Sequence, residues 1–344
     1  MDEMKLLLIS DNYPDLFSSG FQRISQLVSI YEELGIECLL ERVTTCNELN
    51  RILDDTNADI AFSNIYHVVD AEHNTSVNVH EIFESRHFPY IGSTSTVLEL
   101  VLHKSALKQK WRNAGVRTPG YYHINLQSDK KLDNITSLGQ LENYPYLIKP
   151  DTEGNSRGIA QTDIVDTYPS LQHVMKRKIM EYDSLLLEEY LGDQEDIQEF
   201  TVAQIGNGNN AKYLPGEVKI IIPQKRRLIS NVDKDTHKTK ILPVSSELVQ
   251  EIVDFSRKAL SLAGIADYGR LDLLRCQKKL FAIEINGQPM IPDRWFDGCA
   301  EFGGLLREQY CAYLLSESVK RWQESGCSLP DLPKPLLEVL CNTP

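Results

Sequence analysis

The sequence predicts a mixed α/β and α+β protein, with an open α/β layer over about the first hundred residues and a mainly antiparallel region across residues 120–320. Three observations carry that reading. Apolar runs of strand length alternate with helical periods at the amino-terminal end, the pattern of strands joined by helices in one layer. Farther along, apolar runs follow one another between turn residues, and the last two form a hairpin. At 344 residues the chain exceeds the size of one cooperative core, so two or three domains are expected. Their bounds are set at 1–100 for the amino-terminal α/β domain, 101–185 for a small central domain, 186–325 for a carboxy-terminal antiparallel-sheet domain and 326–344 for a proline-rich tail.

Residues 5–10 (KLLLIS) read as the first buried strand, and 21–34 as the helix after it, closed by Gly35. Strands follow at 36–40 and 60–62, with a short helix at 49–53 between them. Pro89, Tyr90, Ile91 and Gly92 supply another short strand and turn. One helix is expected over 96–113, where apolar Val97, Val101, Leu102, Leu107 and Trp111 interleave with Lys104, Lys108 and Lys110; Gly115 ends it and Pro119 prevents a restart. Strands are expected at 144–149, 185–191 and 200–205, a helix at 249–263 stopped by Gly264, and a last helix at 305–322. The tail from Ser328, with Pro330, Pro333, Pro335 and Pro344, reads as an extended surface segment.

Lys and Arg number 36 against 49 Asp and Glu, a formal charge of -13, which disfavours a nonspecific binder of nucleic acid or anionic membranes. A phosphate ligand would then need a local positive cluster or a metal. Hydrophobic content of 42% and charged content of 25% are those of a soluble globular chain, and no apolar stretch approaches a bilayer span. Seven cysteines form no close CxxC pair. With no signal peptide apparent, reduced thiols in a cytoplasmic protein are expected.

Residues 269–286, GRLDLLRCQKKLFAIEIN, gather chemistry on one face. A turn over Gln277, Lys278 and Lys279, centred on Lys278, puts Asp272 opposite Glu284 and Arg270 opposite Asn286. Leu271, Leu273, Ile283 and Ile285 then point the other way, into a core. Like charges opposite one another destabilise a sheet, so something positive belongs between them. Magnesium held jointly with substrate phosphates meets that need; a surface hairpin whose acidic side faces water is the other reading.

Lys149 ends a strand just before Pro150, and the loop DTEGNSRGI offers Gly154 and Gly158 around Asn155, Ser156 and Arg157, with backbone donors suited to phosphate oxygens or to an ordinary exposed turn. LLLEEYL at 185–191 sets Glu188 and Glu189 at the end of an apolar run. In order along the chain, IGS, HKSALKQKW, LIKP, EGNSRG, LLLEEYL, EFTVA, LPGEVKI, GRLDLL and EINGQP resemble the ATP-grasp superfamily, in its D-alanine:D-alanine ligase branch, from about Tyr90 to Gly287. The resemblance implies an ATP-grasp fold, ATP and Mg²⁺ as cofactors, and an ADP-forming ligase acting in an expected homodimer. It implies that Lys104 and Lys149 hold ATP phosphates under a loop tipped by Asn155 and Ser156. It further implies adenine contacts from Glu188, Glu189 and the backbone near Tyr190 and Leu191, and ribose contacts from Glu199. Asp272, Glu284 and Asn286 resemble the magnesium ligands, and Arg270 the arginine beside the transferred phosphoryl group.

Two segments depart from that pattern. The glycine-rich EDG-type segment is replaced by DAEHNTSVN, with Asp15 a stand-in for the acid that holds the first amino acid; His67, His73 and His80 nearby read as surface or core histidines rather than a metal site. The PGMT-type segment becomes Pro289, Met290, Ile291, Pro292, Asp293 and Arg294, where Arg294 either binds a substrate carboxylate or is an exposed arginine paired with Asp293. Residues 224–240 (QKRRLISNVDKDTHKTK) resemble the loop that closes over nucleotide and substrate, with Lys225, Lys234, His237 and Lys238 as candidate contacts. The expected reaction activates a carboxylate or conjugated carbonyl oxygen with ATP and couples it to the amine of an amino acid. D-alanyl-D-alanine ligation, imine formation on a mycosporine-type enaminone and ATP binding without turnover are the alternatives.

Overall fold

The four aliphatic residues Leu6, Leu7, Leu8 and Ile9 are fully buried in strand β1 (Lys5–Ser10), as expected of a parallel strand covered on both faces. The structure is a computed structural model that describes residues 4–10, 18–125, 145–154, 158–220 and 239–343. Helix α1 (Ser18–Glu33) leads to β2 (Glu37–Arg42), and α2 (Cys46–Asp55) to β3 (Ile60–Ser63); both strands pair parallel to β1 in the order β2-β1-β3. A capping box starts α2: Glu48 N–H donates to Thr45 Oγ1 at 3.3 Å, and Thr45 N–H to Glu48 Oε2 at 3.0 Å. A hairpin of β4 (His67–Asp70) and β5 (Thr75–Asn78) follows, then α3 (Val79–Ser85).

The single helix expected over 96–113 is two, α4 (Ser95–Leu102) and α5 (Lys104–Asn113), broken at His103. The cause is tertiary. The Lys104 N–H donates to Asp151 O at 3.1 Å and the Ser105 N–H to Asp151 Oδ1 at 2.7 Å, so a distant buried carboxylate caps α5.

The central four-stranded sheet, ordered β6-β9-β7-β8, contains β6 (Tyr121–Asn125), β7 (Tyr146–Pro150), β8 (Ile164–Val165) and, after α6 (Tyr168–Lys178), β9 (Ser184–Glu189). Its pairing is antiparallel throughout, and β9 crosses the expected 185/186 division while pairing wholly within this sheet. A five-stranded antiparallel sheet follows in the order β12-β11-β10-β13-β14, from β10 (Gln198–Ile205), β11 (Lys212–Ile220), β12 (Thr239–Pro243) and, past α7 (Ser246–Ala263), β13 (Tyr268–Cys276) and β14 (Lys279–Asn286). Gly264, at φ +87°, closes α7 where the sequence places its stop.

After β14 come α8 (Arg294–Phe302) and α9 (Arg307–Glu324). Sequence reading leaves α8 out because its start follows the proline-rich segment; Asp293 caps it, its Oδ1 accepting from Trp295 N–H at 3.0 Å and Phe296 N–H at 2.7 Å. The extended tail is also corrected: α10 (Lys334–Cys341) buries Leu336 completely in the core that includes Tyr310 and Leu314 of α9. Pro333 and Pro335 stand at the helix start, where a missing N–H costs nothing.

One core cluster joins Leu6, Leu8 and Phe62 of the amino-terminal sheet to Ala203, Tyr268 and Phe296. Beside it, fully buried Asp267 accepts from Arg321 at 2.8 and 2.6 Å, from Gly92 N–H at 2.7 Å and from Asn207 Nδ2 at 2.8 Å. His80 is buried nearby, its Nδ1 2.7 Å from Ser93 O. Burial pushes its imidazole down from 6.5 to about 4, against the opposing pull of the Ser93 carbonyl, Glu84 and Asp267. Because the folded value is depressed, the unfolded chain takes up the proton first, and stability falls as pH drops from 6.5 toward 4. Between pH 7.5 and 5 this group should remove about 2 kcal/mol of unfolding free energy. Urea denaturation at both pH values should show that loss reduced by about this amount in His80→Gln; equal losses in both proteins would refute it.

Candidate active site

Three lysines from two elements meet in the central domain. Lys149 lies at the end of β7, and Lys104 and Lys108 stand four apart on one face of α5, all of them buried. Lys149 Nζ is 2.8 Å from Glu188 Oε1, and Lys108 Nζ is 2.6 Å from Glu188 Oε2 and 2.7 Å from Thr118 Oγ1. Lys104 Nζ donates to the Glu153 carbonyl, at the start of the glycine-bearing loop. Burial lowers the Lys108 pKa to about 8, with Glu188 the leading opposing charge. Burial likewise pushes Lys104 down, and there the strongest opposing charge is Glu284, from the other sheet. The Glu188 carboxyl is pushed up by burial, but Lys108 and Lys149 together outweigh this and hold it below its ordinary value.

The rest of the site lies on one face of β10, β13 and β14. Register pairs Arg270 with Asn286 and Asp272 with Glu284, as the sequence predicts, and pairs Thr201 with Asp272. Glu199, two residues from Thr201, shares that face. The turn is nevertheless shorter than expected. Gln277 and Lys278, at φ +49° and +58°, make a two-residue connection, and a bulge leaves Ile283 unpaired, so the two irregularities cancel at the acidic pair. Ile283 is accordingly half-buried rather than a core residue, and Leu280 and Ala282 occupy the core with Leu271, Leu273 and Ile285.

Asp272 Oδ1 accepts from Thr201 Oγ1 at 2.7 Å and from Arg270 Nε at 3.3 Å. Burial acts to lower the Arg270 pKa, but Asp272 and Asp293 outweigh it, so the guanidinium stays charged. Asn286 Oδ1 accepts from the Tyr66 hydroxyl at 3.0 Å. Two carboxylates and an amide oxygen form a hard donor set suited to Mg²⁺ that keeps waters and shares phosphate oxygens. Among the described residues no group of three or more His, Cys, Asp and Glu side chains is placed to hold a metal ion. Asp272, Glu284 and Asn286 fit magnesium shared with substrate oxygens.

Glu189 is half-exposed at the end of β9 and accepts weakly from Gly120 N–H at 3.4 Å, while the Tyr190 N–H donates to Pro145 O at 2.9 Å. Tyr190 and Leu191 are buried beside them. Arg294 opens α8 and donates from Nη2 to Thr239 Oγ1 at 3.0 Å. It borders a cavity of about 270 Å³ together with Thr239, Lys240, Ile241, Trp295 and Phe302. The Trp295 ring lies 5.2 Å from the Arg294 guanidinium and 5.8 Å from that of Arg270, so one indole adjoins both cations. Asp15, Asn155, Ser156, Lys225, Lys234, His237 and Lys238 lie outside the described residues.

Sequence reading assigned no role to Lys108, Asp151, Thr201, Trp295 or Tyr66. The spacing of Lys104 and Lys108 signals a shared helical face; the others depend on contacts across 46 or more residues or on neighbours brought in by α8.

The family model described as D-ala D-ala ligase C-terminus matches residues 110–294, more than half of the chain, and the chain belongs to that family, within the ATP-grasp superfamily. It is thus an ATP-dependent ligase. The chain is 27% identical over 243 residues to a D-alanine–D-alanine ligase of Pseudomonas putida, covering 69% of this chain and 71% of that one. It is 26% identical over 246 residues to a D-alanine–D-alanine ligase of Polynucleobacter asymbioticus, covering 69% and 68%. The fold matches the D-alanine–D-alanine ligase from Bacillus anthracis complexed with ATP at TM-score 0.72, with 16% identity, 94% of this chain and 100% of that chain covered. The VanG D-Ala:D-Ser ligase from Enterococcus faecalis matches at TM-score 0.71, with 15% identity and coverage of 92% and 100%. No helix among the described residues is long and apolar enough to cross a membrane.

Replacing Glu188 by Gln leaves Lys108 and Lys149 buried without their carboxylate, which should cost about 3–5 kcal/mol in the nucleotide-free protein. Saturating ATP with Mg²⁺ should recover more melting temperature in Glu188→Gln than in the wild type, because phosphate returns negative charge to the lysines. Thermal unfolding with and without nucleotide measures this, and equal recovery would count against a phosphate site there.

Proposed function

We propose that the protein is an ADP-forming, magnesium-dependent ligase that phosphorylates the carboxylate of one amino acid and joins it to the amine of a second, as in D-alanine–D-alanine ligation. The observation that carries this reading is the opposition of a buried lysine group to the Asp272–Glu284 pair, close enough that Glu284 is the strongest charge opposing the burial of Lys104. Such an arrangement suits a polyphosphate bridging cations and a metal.

Lys104 and Lys149 bind ATP phosphates, with Lys108 holding Glu188 in place behind them. Asn155 and Ser156 cover the phosphates, Glu188, Glu189 and the backbone at Tyr190 and Leu191 receive the adenine edge, and Glu199 receives the ribose hydroxyls. Asp272, Glu284 and Asn286 would hold Mg²⁺, which supplies charge neutralisation at the transferred phosphoryl group. Arg270 remains cationic and stabilises negative charge on the acyl oxygen as the amine attacks; phosphate then leaves in place of hydroxide, a far poorer leaving group.

Arg294 binds the carboxylate of the amine-bearing substrate. The cavity beside it, about 270 Å³ with Trp295 and Phe302 in its wall, is larger than a methyl side chain requires, and it favours an acceptor bulkier than alanine. That observation supports a side chain larger than methyl on the amine-bearing substrate, with the activated partner either a carboxylate or an enaminone carbonyl.

Purified protein incubated with ATP, Mg²⁺, D- and L-amino acids and small carboxylate or enaminone acceptors should release ADP and yield an adduct whose mass names both partners. Nucleotide binding with no ADP from any pair would sink the ligase proposal in favour of a binding protein. Asp272→Asn should lower turnover about a hundredfold or more, and an unchanged rate would remove it from the site. Arg294→Ala should raise KM for one amino acid roughly tenfold or more while KM for ATP holds; equal effects on both would discard its specificity role.

A further inference from the structure

The segment DAEHNTSVN, which replaces the glycine-rich stretch of the resembled family, forms the tip of the β4–β5 hairpin and its exit. At the base of that hairpin stands Tyr66, whose carbonyl accepts from Val79 N–H at 2.9 Å. Its side chain crosses to the metal-bearing strand. The Tyr66 hydroxyl accepts from Gln288 N–H at 2.9 Å and donates to Asn286 Oδ1 at 3.0 Å, a contact spanning 220 residues. Gln288, only 5% exposed, is tied in turn to the amino-terminal sheet, its Nε2 donating to Ser63 O at 2.6 Å. The end of β3, Gln288, Tyr66 and Asn286 thus form one connected circuit.

A carboxamide can present either end, and a metal ligand must present oxygen. Two donors converge on the same end of Asn286, the Tyr66 hydroxyl and, more weakly, Gln288 N–H at 3.3 Å. Turning the amide over would set its NH₂ against the Gln288 N–H. Because that N–H also donates to the Tyr66 oxygen, the hydroxyl proton is directed to Asn286.

We propose that Tyr66 is a positioning residue for the magnesium site, its hydroxyl fixing the Asn286 carboxamide so that the amino-terminal layer orients a ligand carried by the carboxy-terminal sheet. This rests on the reading of Asn286 as a magnesium ligand. Outer contacts that orient a ligand typically change metal affinity by about 10- to 100-fold when removed.

Tyr66→Phe keeps the ring and removes the hydroxyl. With Mn²⁺ as the probe and saturating ADP, electron paramagnetic resonance should show binding weakened about tenfold in Tyr66→Phe and at least as much in Asn286→Ala. Tyr66→Phe combined with Asn286→Ala should be no weaker than Asn286→Ala alone, because the hydroxyl acts only through that amide. Nucleotide affinity without metal should stay the same in Tyr66→Phe, which a general loosening of the fold would not leave unchanged. Unaltered Mn²⁺ affinity in Tyr66→Phe, with Asn286→Ala weakened, would overturn the positioning role and leave the site intact. Unaltered affinity in Asn286→Ala would overturn both this inference and the metal assignment, and additive losses in the double variant would show that Tyr66 acts by another route.

Discussion

Charge of opposite sign governs this site, buried lysines on α5 and β7 facing partly buried carboxylates on β13 and β14. Lys104, Lys108 and Lys149 are all nearly inaccessible, yet among the described residues the only carboxylate paired directly with any of them is Glu188, shared by Lys108 and Lys149. An ammonium removed from water at such depth is costly unless compensated. The five-stranded sheet holds its own like-charge conflict, Asp272 facing Glu284. In the proposed function a metal-bound polyphosphate would bring opposite charge to both halves.

The fold supports that opposition from outside the site. Asp151 caps α5 through the Lys104 and Ser105 N–H groups, and so fixes where that lysine-bearing helix begins relative to the end of β7. On the other side, Thr201 holds Asp272 and Tyr66 holds Asn286, one from a neighbouring strand and one from the amino-terminal layer. That layer shares a core with α8 and α9, with the Asp267–Arg321 pair beside it.

Much of the hairpin was legible because alternation in a strand has a fixed period of two, so Asp272, Glu284, Arg270 and Asn286 had to share a face once the register was set. The register was reached correctly from a turn that was too long, because the bulge at Ile283 restores by one residue what the tight turn removes. Local periodicity cannot see such a compensation. It also could not see the break at His103, since residues 96–113 are helical in pattern and the interruption comes from Asp151, far along the chain. The last helix, α10, escaped notice because prolines that oppose a helix interior are well suited to its first turn.

The sequence by itself determined the alternating amino-terminal layer, the acidic face of the hairpin and the lysine that ends β7, all consequences of short-range periodicity and chain order. Tertiary structure alone decided which of those groups meet: Glu188 between Lys108 and Lys149, Tyr66 against Asn286, and Arg270 and Arg294 around one indole. The reason is physical. Contacts between residues tens to hundreds of positions apart depend on how whole sheets and helices pack, and that packing is set by the summed burial of many side chains rather than by any local pattern.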